Sequence, residues 1–299
     1  MKMPSGFSRS SGFWERLRRG IDENSLDHID PIERNVIAVL YQRRLIINLP
    51  RVVDTHSLDR NLGHFMAFTS EPANHLTKAR EATVCILGVG GVGAVVLQHL
   101  VALGIGGYVL VDCDNVEMSN LNRQFIYDPK DIGFRKVEIT AYYVRSRLPG
   151  AAIATYDRRI TSVDSLDEAN FPECTCIVNC LDTPRDSIDE IVYQFGEERL
   201  IPVVGAGVGV HFGHWGPFID PCSSQSFSAW KRRNKRLDGD EHVPISIKPT
   251  PWSFGPTNSL ISVHLVNDVI EWIAGKRDIL SMDRRVTLRF SDNSLIFSN

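Results

Sequence analysis

Apolar residues in this chain fall into short continuous runs separated by segments with helical spacing. The run Thr83–Leu87 is followed by a glycine-rich turn, and residues 94–103 then place apolar side chains at helical spacing without a proline. A second apolar run occupies residues 108–111. Continuous apolar strands are typical of a sheet that is buried on both faces. The pattern therefore predicts a strand, a tight turn, a helix and a second strand in a parallel sheet.

The alternation continues through most of the chain and predicts an α/β fold. We expect a Rossmann-like, mostly parallel sheet with helices on both faces and antiparallel strands near the C-terminus. A long polar loop is predicted at about residues 220–257. Further helices are predicted at residues 136–147 and 258–273, and further strands at residues 151–156, 174–180, 201–205, 208–219, 286–290 and 294–298.

The turn after the first strand contains glycines that suit it to bind phosphate. Glycine permits the dihedral angles of a tight turn and lets the backbone approach phosphate oxygens, while the N-terminus of the following helix offers free N–H groups. Asp112 ends the second strand, where its carboxylate can accept hydrogen bonds from ribose hydroxyls. These features alone fit NAD and ATP equally well. The glycines are Gly88, Gly90, Gly91 and Gly93.

Two cations beyond the second strand favour ATP. Arg123 and Lys136 follow the pair Asp112 and Asp114 along the chain. A triphosphate carries more negative charge than the pyrophosphate of NAD, and cleavage of its α–β bond needs cations near the leaving oxygens. Arg123 offers a planar fork and Lys136 a mobile point charge. The alternative is that both are solvated helix residues, but beside the glycine loop they favour an enzyme that cleaves ATP.

Composition agrees with one large α/β enzyme. The chain has 299 residues, of which 43% are hydrophobic, and a formal net charge of −3. This charge gives no reason to expect nucleic acid or a membrane surface as a partner. Residues 83–111 lack Asp, Glu, Lys and Arg and are long enough to cross a bilayer, but glycines divide them into strand, turn and helix. The arginines near the N-terminus precede no apolar segment, so we expect a cytoplasmic enzyme.

With these motifs the chain resembles the adenylating family that contains ThiF, MoeB and the ubiquitin-activating enzymes. The resemblance rests on the glycine loop, the two aspartates after the second strand, the run at residues 119–124 and Lys136. It implies ATP and Mg²⁺ as cofactors, and a homodimer in which Arg60 reaches the ATP of the partner subunit. The nucleotide-binding residues that it implies are Gly88, Gly90, Gly91, Gly93, Asp112, Asp114, Asn120, Arg123, Gln124 and Lys136, and the catalytic residues are Arg60, Arg123, Lys136 and Asp182.

Asp182 follows the strand predicted at residues 174–180. In relatives the corresponding aspartate helps to hold Mg²⁺ at the α-phosphate, and the resemblance implies the same role here. Thr183 stands where many relatives have asparagine, and Arg185 comes early, which weakens the case for a role of Arg185. The alternative for Asp182 is a helix N-cap ahead of Pro184. The two roles are compatible.

Cysteines and histidines offer little chemistry in this sequence. Many sulfur-carrier-activating relatives hold structural zinc with two Cys-x-x-Cys pairs, and this sequence has none. Cys174 and Cys176 would supply only two of four ligands, and His211 and His214 would point to opposite faces of a strand. We therefore expect no zinc and no thioester step. Cys222 is expected to be an inert buried thiol rather than a nucleophile.

Without zinc cysteines, the chain resembles the peptide-modifying members of the family, the MccB-like and pantocin-type (PaaA-like) enzymes. The resemblance implies adenylation of a peptide carboxylate, at a Glu or Asp side chain or at the C-terminus. The adenylate would drive dehydration, cyclisation or amide formation in the biosynthesis of a ribosomally made peptide antibiotic, with a short, acidic precursor peptide as partner. Two alternatives stay open: activation of a ubiquitin-like sulfur carrier or a tRNA-bound carboxylate, and a nucleotide-binding scaffold without adenylation.

The N-terminal part of the chain is expected to form a separate module over residues 1–55, ahead of an ATP-binding adenylation domain over residues 56–299. Residues 31–44 have helical spacing, and residues 45–49 are predicted to form a strand. This α+β pattern resembles a small peptide-recognition module, which would bind an extended peptide at its sheet edge. The alternative is an extension that packs on the catalytic domain or on a dimer mate.

Overall fold

A computed structural model describes residues 11–43, 45–46, 61–67, 69, 71–167, 171–234 and 253–298 of the chain. The chain divides into two compact units, Met1–Leu76 and Thr77–Asn299. The domain boundary that we expect after residue 55 falls in the stretch 47–60, outside the described residues. That boundary therefore stays a prediction.

The first unit is helical in its described part. Phe13 is buried against Val36 and Leu40, which lie one helical turn apart. The carboxylate of Asp30 caps the second helix by accepting a hydrogen bond from the N–H of Ile32 at 2.8 Å. This second helix confirms the helical spacing read from the sequence, whereas the first helix was not predicted. The helices are α1 (Ser11–Arg19), α2 (Pro31–Gln42), α3 (Leu62–Met66) and α4 (Pro72–Glu81), which continues into the second unit.

The strand predicted at residues 45–49 begins differently in the structure. Leu45 and Ile46 form a bend. The N–H of Leu45 donates to the C=O of Leu40 at 2.9 Å, so the backbone turns at the end of α2 instead of extending. Residues 47–49 lie outside the described residues. The α+β character that we expected of this module is therefore not seen where the structure describes it.

The second unit is built on one mixed sheet of eight strands. The strands are β1 (Thr83–Leu87), β2 (Gly107–Val111), β3 (Ala152–Tyr156), β4 (Cys176–Asn179), β5 (Val203–Val208), β6 (Phe212–Ile219), β7 (Arg285–Arg289) and β8 (Leu295–Ser298). Their order across the sheet is β3-β2-β1-β4-β5-β6-β7-β8. Strands β1 to β5 are parallel, and β6, β7 and β8 pair antiparallel. The predicted α/β fold with antiparallel C-terminal strands is confirmed.

Helices cover both faces of this sheet. They are α5 (Gly93–Leu103), α6 (Lys136–Arg147), α7 (Val163–Asp167), α8 (Ile188–Arg199), α9 (Phe227–Asn234) and α10 (Gly255–Ile273). Helices α7, α8 and α9 share one apolar core with the sheet, and α5 packs against α6 and α10. Helix α9 lies in the segment that was predicted to be a polar loop. Phe227 and Trp230 are three residues apart, so they share one face of the helix, and both are buried there.

The strand order reverses between β1 and β4. The chain runs outward from β1 to β2 and β3 on one side, and from β4 to β5 on the other. In open parallel sheets the crevice at such a switch point, at the carboxyl ends of the strands, is the usual ligand site. The glycine loop follows β1 directly, and Asp182 lies just after β4. The fold thus places both predicted motifs at this crevice.

The uncharged stretch at residues 83–111 forms β1, the glycine loop, α5 and β2. Where the structure describes the chain, no helix combines the length and the apolar character that crossing a membrane requires.

Candidate functional site

The glycine loop is built so tightly that backbone atoms block a Cβ at two of its glycines, Gly88 and Gly93. Gly88 has a φ of +87°, and a Cβ there would lie 2.8 Å from the carbonyl oxygen of Cys180. A Cβ on Gly93 would overlap the carbonyl oxygen of Gly88. A Cβ on Gly91 would lie 2.6 Å from the Asn258 side chain, whereas at Gly90 the nearest atom is 3.8 Å away. The loop therefore presents bare backbone beside the N-terminus of α5.

Side chains from three different segments hold this loop. The N–H of Val89 donates to Oδ2 of Asp112 at 2.8 Å, and its carbonyl oxygen accepts a hydrogen bond from the hydroxyl of Tyr127 at 2.8 Å. The hydroxyl of Ser262, in α10, shares its one proton between the carbonyl oxygen of Asn258 at 2.7 Å and that of Val92 at 3.1 Å. Sequence reasoning missed Tyr127 and Ser262. For Ser262 the sequence offers one signal. Ser262 lies one helical turn after Asn258, so the two form a polar pair on one face of an apolar helix.

Asp112 is 6% exposed and both of its oxygens accept backbone hydrogen bonds. Oδ1 accepts from the N–H of Asp114 at 2.8 Å. Burial raises the pKa of Asp112, while the nearby charge of Lys136 and the two backbone N–H groups oppose that rise. Each carboxylate oxygen retains a second lone pair for a further donor. The position is suited to a ribose hydroxyl, and this role of Asp112 stays a prediction.

Lys136 is the buried cation of the site. It begins α6 and is 5% exposed. Its ammonium group lies 2.9 Å from Oδ2 of Asp114, and its backbone N–H donates to the carbonyl oxygen of Asp114 at 3.0 Å. The Asp114 side chain is 57% exposed. Burying an ammonium group without a partner is unfavourable in free energy. The Lys136 ammonium has three N–H donors, and the half-exposed Asp114 carboxylate is the partner described above. This leaves donors for the oxygens of a ligand.

Arg123 lies beside the glycine loop. Its Cδ would be 3.5 Å from a Cβ on Gly91. Its guanidinium Nη1 donates to the carbonyl oxygen of Ser119 at 2.8 Å and to Oδ1 of Asn122 at 2.9 Å. These bonds use one nitrogen of a five-donor fork. The structure therefore brings Arg123 to the loop with donors still available.

Asn120 and Gln124 have different surroundings. Oδ1 of Asn120 accepts the N–H of Glu117 at 3.0 Å, which closes a short 3₁₀ turn. Gln124 is 3% exposed, and its Oε1 finds no hydrogen-bond donor among the described residues. Its Nε2 would lie 3.8 Å from a Cβ on Gly90. Gln124 therefore adjoins the loop, whereas Asn120 shapes the segment that carries Arg123.

Asp182 lies in the loop that follows β4, and its side chain is exposed. The residue before it, Leu181, lies against Gly88, since its Cδ2 would be 3.2 Å from a Cβ there. Oδ1 of Asp182 accepts a hydrogen bond from the Thr183 hydroxyl at 3.2 Å. The alternative that Asp182 caps a helix is wrong, because α8 begins at Ile188 and Ser187 precedes it. The loop after β4 thus meets the loop after β1, with Asp182 next to the contact.

Other sequence predictions meet the structure with mixed results. Arg60 lies outside the described residues. Cys222 is exposed rather than buried, because it lies in a turn after β6 where its N–H donates to Oδ1 of Asp220 at 3.1 Å. No cluster of three or more His, Cys, Asp or Glu suited to a metal ion occurs in the described ranges. The expected absence of zinc stays a prediction.

A comparison with known protein families identifies the domain that contains this site. The model of the ThiF family matches residues 58–297. The chain belongs to the ThiF family. The match includes the glycine loop, Asp112, Lys136 and Asp182, so the features described above lie within the family domain.

Curated ThiF relatives resemble part of the chain. Ubiquitin-like modifier-activating enzyme 5 of Drosophila willistoni is 42% identical over 138 residues, which cover 46% of this chain and 33% of that protein. Adenylyltransferase and sulfurtransferase UBA4 of Eremothecium gossypii is 37% identical over 135 residues, covering 44% of this chain and 29% of that protein. The chain therefore spans about a third of the length of these relatives.

Solved structures resemble almost the whole chain. The crystal structure of E. coli MccB with ATP has a TM-score of 0.76 at 23% identity, and the match covers 96% of this chain and 82% of that chain. The structure of PaaA has a TM-score of 0.72 at 20% identity and covers 97% of this chain and 86% of that chain. This likeness shows a shared fold.

Proposed function

We propose that this ThiF-family protein is an ATP-dependent adenylating enzyme that activates a peptide carboxylate and releases pyrophosphate. The observation that carries the proposal is the buried ammonium of Lys136 beside the bare glycine loop and Asp112. A mononucleotide needs a phosphate cradle and a ribose acceptor, and cleavage at the α-phosphate adds a need for cations. The crevice between β1 and β4 offers all three.

In the proposed reaction, a carboxylate oxygen of the peptide attacks the α-phosphorus of ATP. The bond from that phosphorus to the pyrophosphate oxygen breaks, and pyrophosphate leaves with the electron pair. Lys136 and Arg123 hold the negative charge that develops on the phosphate oxygens. No general base is needed at this step, because a carboxylate is already ionised at neutral pH. A nitrogen then attacks the acyl carbon, loses its proton, and AMP leaves.

Mg²⁺ fits the residues near the loop after β4. Mg²⁺ prefers oxygen ligands and commonly binds through one or two carboxylates plus substrate phosphates. Asp182 offers an exposed carboxylate next to the glycine loop, with the Thr183 hydroxyl as its hydrogen-bond partner. We propose that Asp182 holds the metal ion, which when bound would neutralise phosphate charge.

Two observations support a peptide as the substrate. The likeness to MccB and PaaA extends over 96% and 97% of this chain, including the unit Met1–Leu76. MccB has been crystallised with N-formylated MccA, as a microcin C7 biosynthetic enzyme. We propose a short, acidic, ribosomally made peptide as substrate, acting with a homodimeric enzyme, and a role in peptide antibiotic biosynthesis.

A second candidate is activation of a ubiquitin-like carrier. It is favoured by the identity of 42% over 138 residues to ubiquitin-like modifier-activating enzyme 5, which exceeds the identity of 23% to MccB. The carrier and the peptide differ in length and in the residue that carries the carboxylate. The same nucleotide chemistry serves both, so the substrate has to be determined directly.

Exchange of labelled pyrophosphate into ATP tests the proposal and separates the two candidates. The purified protein is incubated with ATP, Mg²⁺ and one of three probes: peptides that end in Asn or Asp, peptides with internal Glu, or a ubiquitin-like protein that ends in Gly-Gly. Exchange with a peptide and not with the carrier supports our proposal, and the reverse supports the second candidate. If no probe supports exchange, or Asp182→Asn leaves the rate unchanged, the proposed mechanism is wrong.

A further inference from the structure

A second group of polar side chains lies beyond the nucleotide loop, on the antiparallel part of the sheet. Gly207 pairs with His214, and His214 pairs with Thr287, so these three residues lie side by side on one face. Arg285 lies two residues before Thr287 on the same strand and therefore on the same face. Asp189, in α8, lies at one end of this face, and its Oδ2 is 3.9 Å from Nη2 of Arg285.

The guanidinium of Arg285 is poorly satisfied. Its Nε is buried and donates no hydrogen bond to any residue in the described ranges. The distance of 3.9 Å to Asp189 is longer than a hydrogen bond. Its Cζ lies 5.1 Å from the centre of the Trp230 ring, which supports the flat face of the guanidinium and leaves its edge for hydrogen bonds. Donors without acceptors are unfavourable. The Nε itself is shielded from solvent, so a carboxylate would bind the Nη nitrogens of this side chain, which is 25% exposed.

The side chain of His214 adds no second positive charge to this face. The ring of His214 lies on Gly207, since its Cε1 would be 2.8 Å from a Cβ there. Burial and the positive charge of Arg285 lower the pKa of His214 to about 3, so the imidazole is neutral at neutral pH. A neutral imidazole adds a donor and an acceptor without a second positive charge. Of the residues named on this face, Arg285 is thus the one that carries a positive charge.

Hydrogen bonds connect this face to the loop that carries Asp182. Oδ1 of Asp189 accepts a hydrogen bond from Nδ2 of Asn179 at 2.9 Å. Oδ1 of Asn179 in turn accepts the N–H of Leu181 at 3.2 Å. Asn179 ends β4 and is 1% exposed. A single buried amide therefore joins the partner of Arg285 to the residue just before Asp182.

We propose that Asp189, His214 and Arg285 form an acyl subsite, in which the Arg285 guanidinium binds a carboxylate of an acidic peptide substrate. The proposal rests on the proposed function, because it requires a peptide substrate. It places that peptide on the β5 side of Asp182, whereas Lys136 and Asp114 lie on the β2 side. In this subsite Arg285 gains the acceptor that its fork lacks, and Asp189 keeps its bond from Asn179.

Direct binding tests the acyl subsite without requiring turnover. The probes are two fluorescein-labelled hexapeptides of alternating Glu and Gly, or Gln and Gly, both amidated at the C-terminus. Each is titrated with the full-length protein in the presence of a non-hydrolysable ATP analogue, and fluorescence anisotropy gives the Kd. We expect the Glu peptide to bind at least about tenfold more tightly than the Gln peptide, because the bond to Arg285 is charge-assisted.

Variants assign that preference to one residue. Arg285→Gln should abolish the preference for Glu, and Arg285→Lys should reduce it, because lysine lacks the planar fork. Arg289→Gln is the matched control, since Arg289 lies on the same strand and pairs with Asp292 at 3.4 Å. It should retain the preference. Thermal unfolding and binding of the ATP analogue show whether each variant is folded.

The proposal is overturned if the wild-type protein does not distinguish the peptides, or if Arg285→Gln and Arg289→Gln behave alike. Failure of the proposed function gives a different result. In that case the Glu peptide binds in an Arg285-dependent way, yet no peptide supports pyrophosphate exchange.

Discussion

The two sides of the crevice are built from different parts of the polypeptide. On the β1 side, one continuous segment forms the site: a Cβ on Gly88 or Gly93 would meet backbone atoms, and Lys136 pairs with Asp114, 22 residues earlier in the chain. On the β5 to β7 side, isolated side chains from a helix and a strand meet, as Arg285 in β7 approaches Asp189 in α8. The first arrangement suits a constant ligand such as a nucleotide. The second can change one residue at a time and is suited to a variable substrate.

Sterics on the nucleotide side should produce the largest effect. A Cβ on Gly93 would overlap the carbonyl oxygen of Gly88, whereas a Cβ on Gly90 would find its nearest atom at 3.8 Å. We expect Gly93→Ala to lower the free energy of unfolding by about 1–3 kcal/mol and to abolish ATP binding. Gly90→Ala should change stability by less than about 0.5 kcal/mol. Chemical denaturation compares the two variants, and equal stabilities would remove the steric basis of the loop.

Removing the buried cation should affect catalysis more than stability. Lys136→Met keeps an apolar stem in place and leaves the half-exposed Asp114 carboxylate to water. We expect the rate of pyrophosphate exchange to fall about 10²–10³-fold, because the charge on the departing pyrophosphate loses a cation that stabilises it.

The matched control is Lys130→Met, since the Lys130 side chain is 77% exposed and pairs with a neighbouring aspartate. It should exchange at the wild-type rate. Equal rates for the two lysine variants would contradict the role of Lys136.

The hydroxyl of Tyr127 offers a smaller test of the same side. It donates to the carbonyl oxygen of Val89 and is buried. Tyr127→Phe should destabilise the protein by about 1 kcal/mol and raise the KM for ATP several-fold, because the carbonyl loses its donor and the loop gains freedom. Tyr142→Phe is the control, since Tyr142 is 70% exposed. Steady-state kinetics would contradict the positioning role if both variants kept the wild-type KM.

On the acyl side, the smallest effect should appear in the pH dependence of stability. The pKa of His214 is lowered to about 3, against an ordinary value of 6.5. Between these two pH values His214 is protonated in the unfolded chain but neutral in the folded chain. The contribution of neutral His214 to the free energy of unfolding is therefore complete above pH 6.5 and is lost as the pH falls toward 3. The midpoint of thermal unfolding should fall as the pH is lowered from 6.5 to 3. In His214→Gln this fall should be smaller than in the wild type. Parallel curves would show that His214 is readily protonated in the folded state.

The sequence predicted the fold on the nucleotide side because its signals are local. Continuous apolar runs predicted β1 and β2, and helical spacing predicted α6 at Lys136–Arg147. The glycines and Asp112 lie where a strand, a turn and a helix require them. Each of these features needs only neighbours along the chain, which is why one sequence suffices to find them.

The acyl side was not predictable in the same way. Asp189 and Arg285 are distant in the sequence and meet only because α8 packs on β5, and because β5, β6 and β7 are neighbours in the sheet. Ser262 likewise reaches the glycine loop through the packing of α10 against α5. Helix α9 was hidden within a polar segment because only Phe227 and Trp230 mark its buried face. Such contacts depend on the sheet order, which periodicity does not contain.

The most direct test of adenylation follows an oxygen atom. A peptide that supports exchange is labelled with ¹⁸O in its carboxylate and incubated with ATP, Mg²⁺ and hydroxylamine, which accepts the acyl group. If the carboxylate attacks the α-phosphorus, one ¹⁸O atom is transferred to AMP, and mass spectrometry detects it there. Recovery of the label in inorganic phosphate, with ADP as the nucleotide product, would contradict adenylation at the crevice between β1 and β4.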